Sequence, residues 1–290
     1  MCAVGADSAE ASEGFFGYMY TADVLPKGKG EWELWLTPRW NKGDVGKFSA
    51  TDLMVGYEHG VTDRFTVAFY LQGFKMDATN AWPPDAESGE FVYPERVDST
   101  KLAVYKSEFK YNFLSPYKEG WGFTISTDLY YVRWYPKVDG ARTNQLSLEP
   151  RFIVQKNFLD DSLITTANLL VESEWRQFPE SGAFENEFSI NFHLGASYRF
   201  ARNLYGGVEG RYHQDILNGE KNHSDYFVGP SLLFSQKRWY VSLSYLRQVH
   251  GNPTWSGYPV DPLLYPNVGY HFEEDTKNEL RIKLGFAFGE

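Results

Sequence analysis

The chain has 290 residues, 42% of them hydrophobic and 18% aromatic, and a formal net charge of −10. The acidic excess argues against a nucleic-acid backbone as partner. No apolar run reaches the roughly 18 residues of a membrane-crossing helix, but a barrel, whose strands signal themselves only by two-residue alternation, stays open.

Met1 to Gly14 has neither a basic start nor a long apolar run, so it does not read as an intact signal peptide. Cys2, the single cysteine, can form no internal disulfide and lacks the preceding apolar residues of a lipidation site. Residues 1–28 are assigned to an N-terminal periplasmic segment and 29–290 to a transmembrane β-barrel. The aromatics of GFFGYMYTADVLP need cover, either in the periplasmic mouth of the barrel or against the membrane.

From there the chain alternates. Near 30–41, Trp32, Leu34, Leu36 and Trp40 oppose Glu31, Glu33 and Arg39. Near 48–59, Leu53, Val55 and Tyr57 oppose Asp52 and Glu58, and in RFTVAFYLQGF the odd positions from Phe65 to Leu71 oppose Thr66, Tyr70 and Gln72. Next, Tyr105, Phe109, Tyr111 and Phe113 oppose Lys106, Glu108 and Lys110, and Phe123, Ile125 and Leu129 oppose Thr124, Ser126 and Asp128. The wet face then carries Glu149 and Arg151, Glu172, Glu174 and Arg176, Glu187, His193 and Arg199, and Glu209, Arg211, His213 and Asp215. Two strands with serines on that face follow, and the last strand opposes Arg281 and Lys283 to Leu284, Phe286 and Phe288.

About twelve strands result. A soluble β-sandwich would show the same stripe, but its strands average about five or six residues, whereas these alternate for roughly the ten to fourteen that a tilted bilayer-crossing strand needs. Compact turns (HGVTDR, SPYKEG, NFLDDS, FARN, SQKR) also take turns with longer connections such as YPKVDGARTN, QFPESGAFEN and ILNGEKNHS. Trp32, Trp40, Trp121, Trp175, Trp239 and Tyr245 fall near strand ends, where an aromatic girdle meets headgroups. The expected fold is a single closed antiparallel transmembrane β-barrel with short periplasmic turns, longer extracellular loops and both termini in the periplasm.

The terminal RIKLGFAF resembles the C-terminal assembly signal of Gram-negative outer-membrane barrels, although Gly289 and Glu290 follow it. The resemblance implies that the barrel-assembly machinery reads Leu284, Phe286 and Phe288. GFFGYMYTADVLPKGKGEWELW and YEHGVTDRFTVAFYL resemble an uncharacterised, porin-like family of Gram-negative outer-membrane proteins. That implies an outer-membrane location and a barrel, and brings no activity with it.

The wet face mixes both signs of charge, so it needs water, ion pairing or both. A narrow channel for small hydrophilic solutes is the leading expectation; the alternatives are that the charges pair across strands and plug the lumen, leaving a structural or lipopolysaccharide-associated barrel, and, behind both, an outer-membrane lipid hydrolase. Arg133 and Arg247 have lipid-facing parity near the long-loop ends, where lipopolysaccharide phosphates would lie. The nearest approach to a nucleophile set is Glu209, Arg211, His213 and Asp215 with Ser224 and His193. Residues two apart on one strand face are about 7 Å apart, too far for a good orienting bond, so no catalytic residue is assigned. His193, Glu209, His213 and His223 lack tight ligand spacing, and neither metal nor cofactor is read from them.

Overall fold

The computed structural model describes residues 14–289 apart from 43–45, 91–92, 256–259, 262 and 265–268; Cys2 and the rest of 1–13, and Glu290, lie outside the described residues. Twelve antiparallel strands close on themselves: β1 (Gly30–Trp40), β2 (Lys47–Thr62), β3 (Phe65–Thr79), β4 (Arg96–Leu114), β5 (Gly122–Trp134), β6 (Arg142–Phe158), β7 (Leu163–Gln177), β8 (Phe184–Ala201), β9 (Leu204–Leu217), β10 (Glu220–Ser235), β11 (Trp239–Asn252) and β12 (Asn278–Phe288). A short helix, α1 (Pro116–Glu119), fills the turn between β4 and β5. Each strand pairs with its sequence neighbours, and β1 closes the ring on β12 from Gly30↔Phe288 to Trp40↔Asn278. Closure leaves no edge, the condition for a sheet surrounded by hydrocarbon.

Alternation makes the two faces different surfaces. Outward side chains such as Trp32, Phe69 and Leu194 are more than half exposed, at 53%, 58% and 54%. A continuous apolar wall of this kind belongs in lipid. Aromatic contacts gather at both ends of it: Trp32 and Phe288 flank Tyr57 at the short-turn end, and Trp40 stacks on Tyr245 toward the long loops.

Three features depart from the sequence reading. First, ILNGEKNHS is not a long loop. Strands β9 and β10 run on to Leu217 and Glu220, leaving Asn218 and Gly219 as a turn with φ of 50° and 89°. Both central residues left-handed is the hairpin turn for which Asn-Gly is the preferred pair. Second, the inner face is not wet throughout. Toward the long-loop end Phe74, Met76, Val97, Val104 and Val132 turn inward and pack with Trp82, Tyr135 and Val138 from the loops. The β3–β4 register shift between Gln72 and Gly73 accompanies the change of character.

Third, the described part of the 1–28 segment, read as preceding the 29–290 barrel, lies within it, the first of the two placements open to its aromatics. It threads into the barrel, with Phe16, Met19 and Ala22 at most 1% exposed. Phe15, Phe16 and Met19 pack on Ile164, Tyr205, Leu233 and Tyr240, while Tyr20 and Ala22 pack on Trp35, Ala68, Tyr70 and Ile153. The aromatics of this stretch thus find their apolar cover inside the lumen.

Candidate functional site: a lumen filled by the N-terminal segment

The inner residues of β3 to β7, β9 and β12 converge on the backbone of residues 17–25. Glu209 on β9 accepts from two consecutive amides, Gly17 N at 2.9 Å and Tyr18 N at 3.0 Å. Asn168 on β7 takes both polar groups of Tyr20, accepting from its N at 2.8 Å and donating to its O at 2.9 Å, as a neighbouring strand would. Gln155 accepts from Ala22 N at 2.7 Å, and Asn112 and Thr124 donate to Ala22 O at 2.7 and 2.6 Å. Thr66 accepts from Leu25 N at 2.9 Å, and Arg281 donates to Gly17 O at 3.1 Å. A buried irregular backbone has to satisfy its amides and carbonyls somewhere, and wall side chains take the place of a sheet partner here.

Close approach is built in from both sides. A Cβ on Gly17 would stand 2.4 Å from Ser244 Cβ, and one on Gly195 of β8 would stand 2.5 Å from Met19 Sδ and 2.7 Å from Phe16 Cε1. Any larger residue at either position would push the segment off the wall.

Most of the charges assigned to the lumen lie on the inner wall, many of them paired. Lys106 bridges Glu108 at 2.8 Å and Asp128 at 3.1 Å and donates to Tyr20 Oη at 2.8 Å, whose proton goes to Glu108 at 2.9 Å. Arg151 lies 4.0 Å over the Tyr20 ring and Arg281 4.1 Å over Tyr18, so cation–π contacts hold the plug rings as well. Glu33 accepts from Tyr70 at 3.0 Å and Tyr240 at 2.5 Å; Tyr70 Oη also touches Glu58. Arg39 forks onto Asp52 at 2.9 and 3.1 Å. Arg176 gathers Glu174, Glu185 and Glu187 within 3.2 Å, and Glu172 accepts from Ser189 at 3.0 Å. Glu31, Lys110, Glu149 and His193 are buried in the same wall, and Lys283 lies 4.4 Å over the Trp35 ring. At the level of the plug, Lys106, Asp128 and Lys283 are 3%, 0% and 0% exposed, so protein fills the lumen there.

Arg199 is the exception. It is half-buried at the short-turn rim, where it donates to Ser162 Oγ at 2.8 Å. Arg133 and Arg247 are exposed on the outer wall, as are Leu284, Phe286 and Phe288. Asn112, Gln155, Asn168, Thr66 and Thr124, which grip the plug, were not among the sequence candidates. Their only sequence signal is inward parity, since neutral amides and hydroxyls carry no charge pattern.

At the rim of the short-turn end sits the plug's own carboxyl. Burial pushes Asp23 up to about 7, against the pull of hydrogen bonds from Thr21 and Gln155, with Asp161 adding to the rise.

Toward the opposite end Glu172, Arg211 and Arg281 are half-buried, Arg211 pairs with Glu279 at 3.3 Å, and Lys137 pairs with Glu274 at 3.4 Å from the loops above. The pieces of the supposed nucleophile set do not assemble here. Glu209 is committed to the plug, His213 Nδ1 lies 2.7 Å from Asn191 Oδ1, and Asp215 accepts from Asn222 at 3.0 Å. Instead the fold brings His213 beside His223, at 5.2 Å between ring centroids, and stacks His223 on His271 at 3.8 Å. His271 comes from the 253–277 connection, far along the chain, so sequence spacing could not reveal the group. Lys42 locks that connection down by donating to the carbonyls of Phe272, Glu273 and Asp275 at 3.2, 2.8 and 3.1 Å.

Twelve closed strands, an apolar outer wall and a polar inner one define a transmembrane β-barrel of the outer-membrane type. The chain belongs to the family of unknown function DUF6662, which it matches over residues 8–288. No curated protein matches its sequence. Among solved structures it is similar to an outer-membrane channel from Pseudomonas putida F1, at 10% identity over 92% of this chain and 98% of that one, with a TM-score of 0.58. It is also similar to the β domain of the Bordetella autotransporter BrkA, at 11% identity over 90% and 100% of the two chains, with a TM-score of 0.52. At these identities the likeness is one of fold.

Proposed function

We propose that the protein is a channel of the Gram-negative outer membrane for small hydrophilic solutes, shut in the form described here by residues 14–25 of its own chain. The observation that carries this reading is how the plug is held. A barrel built to stay filled gains most from apolar side chains, because buried ion pairs are often no better than well-packed hydrocarbon. This wall is charged instead, and it holds the plug backbone through carboxylate, amide and hydroxyl groups that water could replace one for one. Such a contact is reversible, and the surface it uncovers is charged and polar between the apolar patches around Ile164, Leu233 and Ile153.

The short turns and both ends of the barrel sequence then lie in the periplasm, so the plug enters from that side. Mixed wall charge gives weak ion selectivity, with the acidic excess favouring cations and neutral solutes. The outer leaflet surrounds the long-loop end, where Arg133 and Arg247 meet lipopolysaccharide phosphates.

Liposome swelling tests the reading. Proteoliposomes holding the full chain should admit small sugars slowly, and those holding a variant without residues 14–25 should admit them several-fold faster. Equal rates for two equally inserted, heat-modifiable proteins would overturn it.

A further inference from the structure

Asp225 on β10 is fully buried, and among the described residues no hydrogen-bond donor reaches either of its carboxylate oxygens. Its surroundings are imidazoles and a second acid. His223, two residues earlier, places Nε2 4.0 Å from Asp225 Oδ2 and 4.0 Å from Asp275 Oδ2, the latter brought in by the connection between β11 and β12. His213 is the direct cross-strand neighbour of Asp225. The donor atoms of His213, His223 and Asp225 all lie within 4.8 Å of one another, as do those of His223, His271 and Asp275.

The hydrogen bonds behind the rings orient them. His271 Nδ1 lies 2.8 Å from Pro253 O, which can only accept, so that nitrogen carries a proton and Nε2 is the one left to face a ligand. His271 Nε2 is buried and has no partner among the described residues. His213 is placed the same way, with Nδ1 against Asn191 Oδ1 at 2.7 Å. An imidazole fixed through one nitrogen by a carbonyl, with the other presented to a shared point, is how metal-binding histidines are held. The surroundings agree. Asp225 and Asp275 both approach His223 Nε2, and the guanidinium on this side, Arg211, is engaged with Glu279. Uncompensated buried charge is costly, and a divalent cation between the carboxylates removes that cost.

We propose that His213, His223, His271, Asp225 and Asp275 bind one divalent transition-metal ion at the long-loop end of the lumen. Imidazole nitrogen favours zinc, nickel, copper or cobalt over calcium or magnesium, which prefer oxygen alone. Bonds of about 2.0–2.2 Å set neighbouring donors about 3.3 Å apart in a tetrahedral site, which uses four of these five groups; the donors of each trio already lie within 4.8 Å of one another, and side-chain rotation that unstacks the parallel His223 and His271 rings draws the two trios together. His213 is half-buried where His223 and His271 are buried, so the ion's way in lies on the His213 side. Because two ligands belong to the β11–β12 connection and three to β9 and β10, a bound ion ties that connection to the wall. The binding does not depend on whether the lumen conducts.

Full-length protein purified without a polyhistidine tag, stripped with chelator, exposed to zinc and freed of excess should hold one zinc per chain. His223→Gln should retain less than about a tenth of that, and so should His271→Gln, whose position outside the barrel strands leaves the wall intact. His59→Gln, at the short-turn end, should still bind one equivalent, and cobalt(II) loading should give visible d–d bands that His223→Gln lacks. Heat-modifiable mobility identifies folded protein in each case. A folded wild type that takes up neither zinc nor cobalt stoichiometrically, or folded His223→Gln and His271→Gln proteins that both keep the full equivalent, would overturn the site.

Discussion

Glu209 is a main anchor of the plugged state, because one carboxylate accepts from two consecutive backbone amides in a buried setting. Hydrogen bonds to charged groups contribute about 1.5–3 kcal/mol each, so Glu209→Ala should cost the plugged state at least roughly 2 kcal/mol, a shift of about 30-fold toward the open form. A protease cutting site placed in the plug should become correspondingly easier to cleave from the periplasmic side; unchanged cleavage would show that the pair of bonds does not hold the segment. Asp23 makes the same equilibrium depend on pH. Burial raises its carboxyl to about 7 from an ordinary value of 3.8, with Asp161 and the Tyr117 ring facing it from the adjoining turn and α1. The plugged form therefore binds the extra proton between those two values, so its advantage is complete in acid and declines as pH rises toward 7. Openings should be more frequent at pH 8 than at pH 5, and Asp23→Asn should flatten that dependence. Parity alone assigned Glu209 to the inner wall, but its partner could not be read, because nothing local in GFFGYMYTADVLP marks an extended segment gripped by side chains.

At the level of elements, the strands were legible because each separates two solvents, and that separation imposes a period of two on the sequence. The failures have equally definite causes. ILNGEKNHS read as a loop because it is polar, although its Asn-Gly pair is the strongest short-range hairpin signal in the chain. Phe74 and Met76 keep the inward parity of Thr66 and Tyr70, so what went unread is that this face turns apolar; on β4 the register shift does change parity, and Val97 and Ala103 face inward there. Outward arginines follow directly from parity. Arg133 and Arg247 are exposed at the long-loop end, so replacing both with Ala should reduce co-purifying lipopolysaccharide several-fold while leaving heat-modifiable mobility unchanged. Equal lipopolysaccharide content in wild type and double variant would remove that contact from the account.

At the scale of the whole molecule, the sequence leads to a closed barrel with a charged lumen, and it offers an open channel and a plugged shell as alternatives. The structure joins them: a wall fit for water, covered in this form by a peptide that the same chain supplies. What could not be read beforehand is long-range. The plug contacts span separations such as Gly17 to Glu209, and the histidine group joins β9, β10 and a connection some fifty residues on, distances over which no periodicity carries information. The measurement that bears most directly on the central claim is single-channel conductance in a planar bilayer, comparing the wild type with Gly17→Val. That change leaves every barrel strand untouched but places side-chain atoms where a Cβ alone would already be 2.4 Å from Ser244 Cβ. The account predicts rare, brief openings for the wild type and long-lived steps of uniform size for the variant. Two inserted proteins that are equally silent, or equally and fully open, would contradict it.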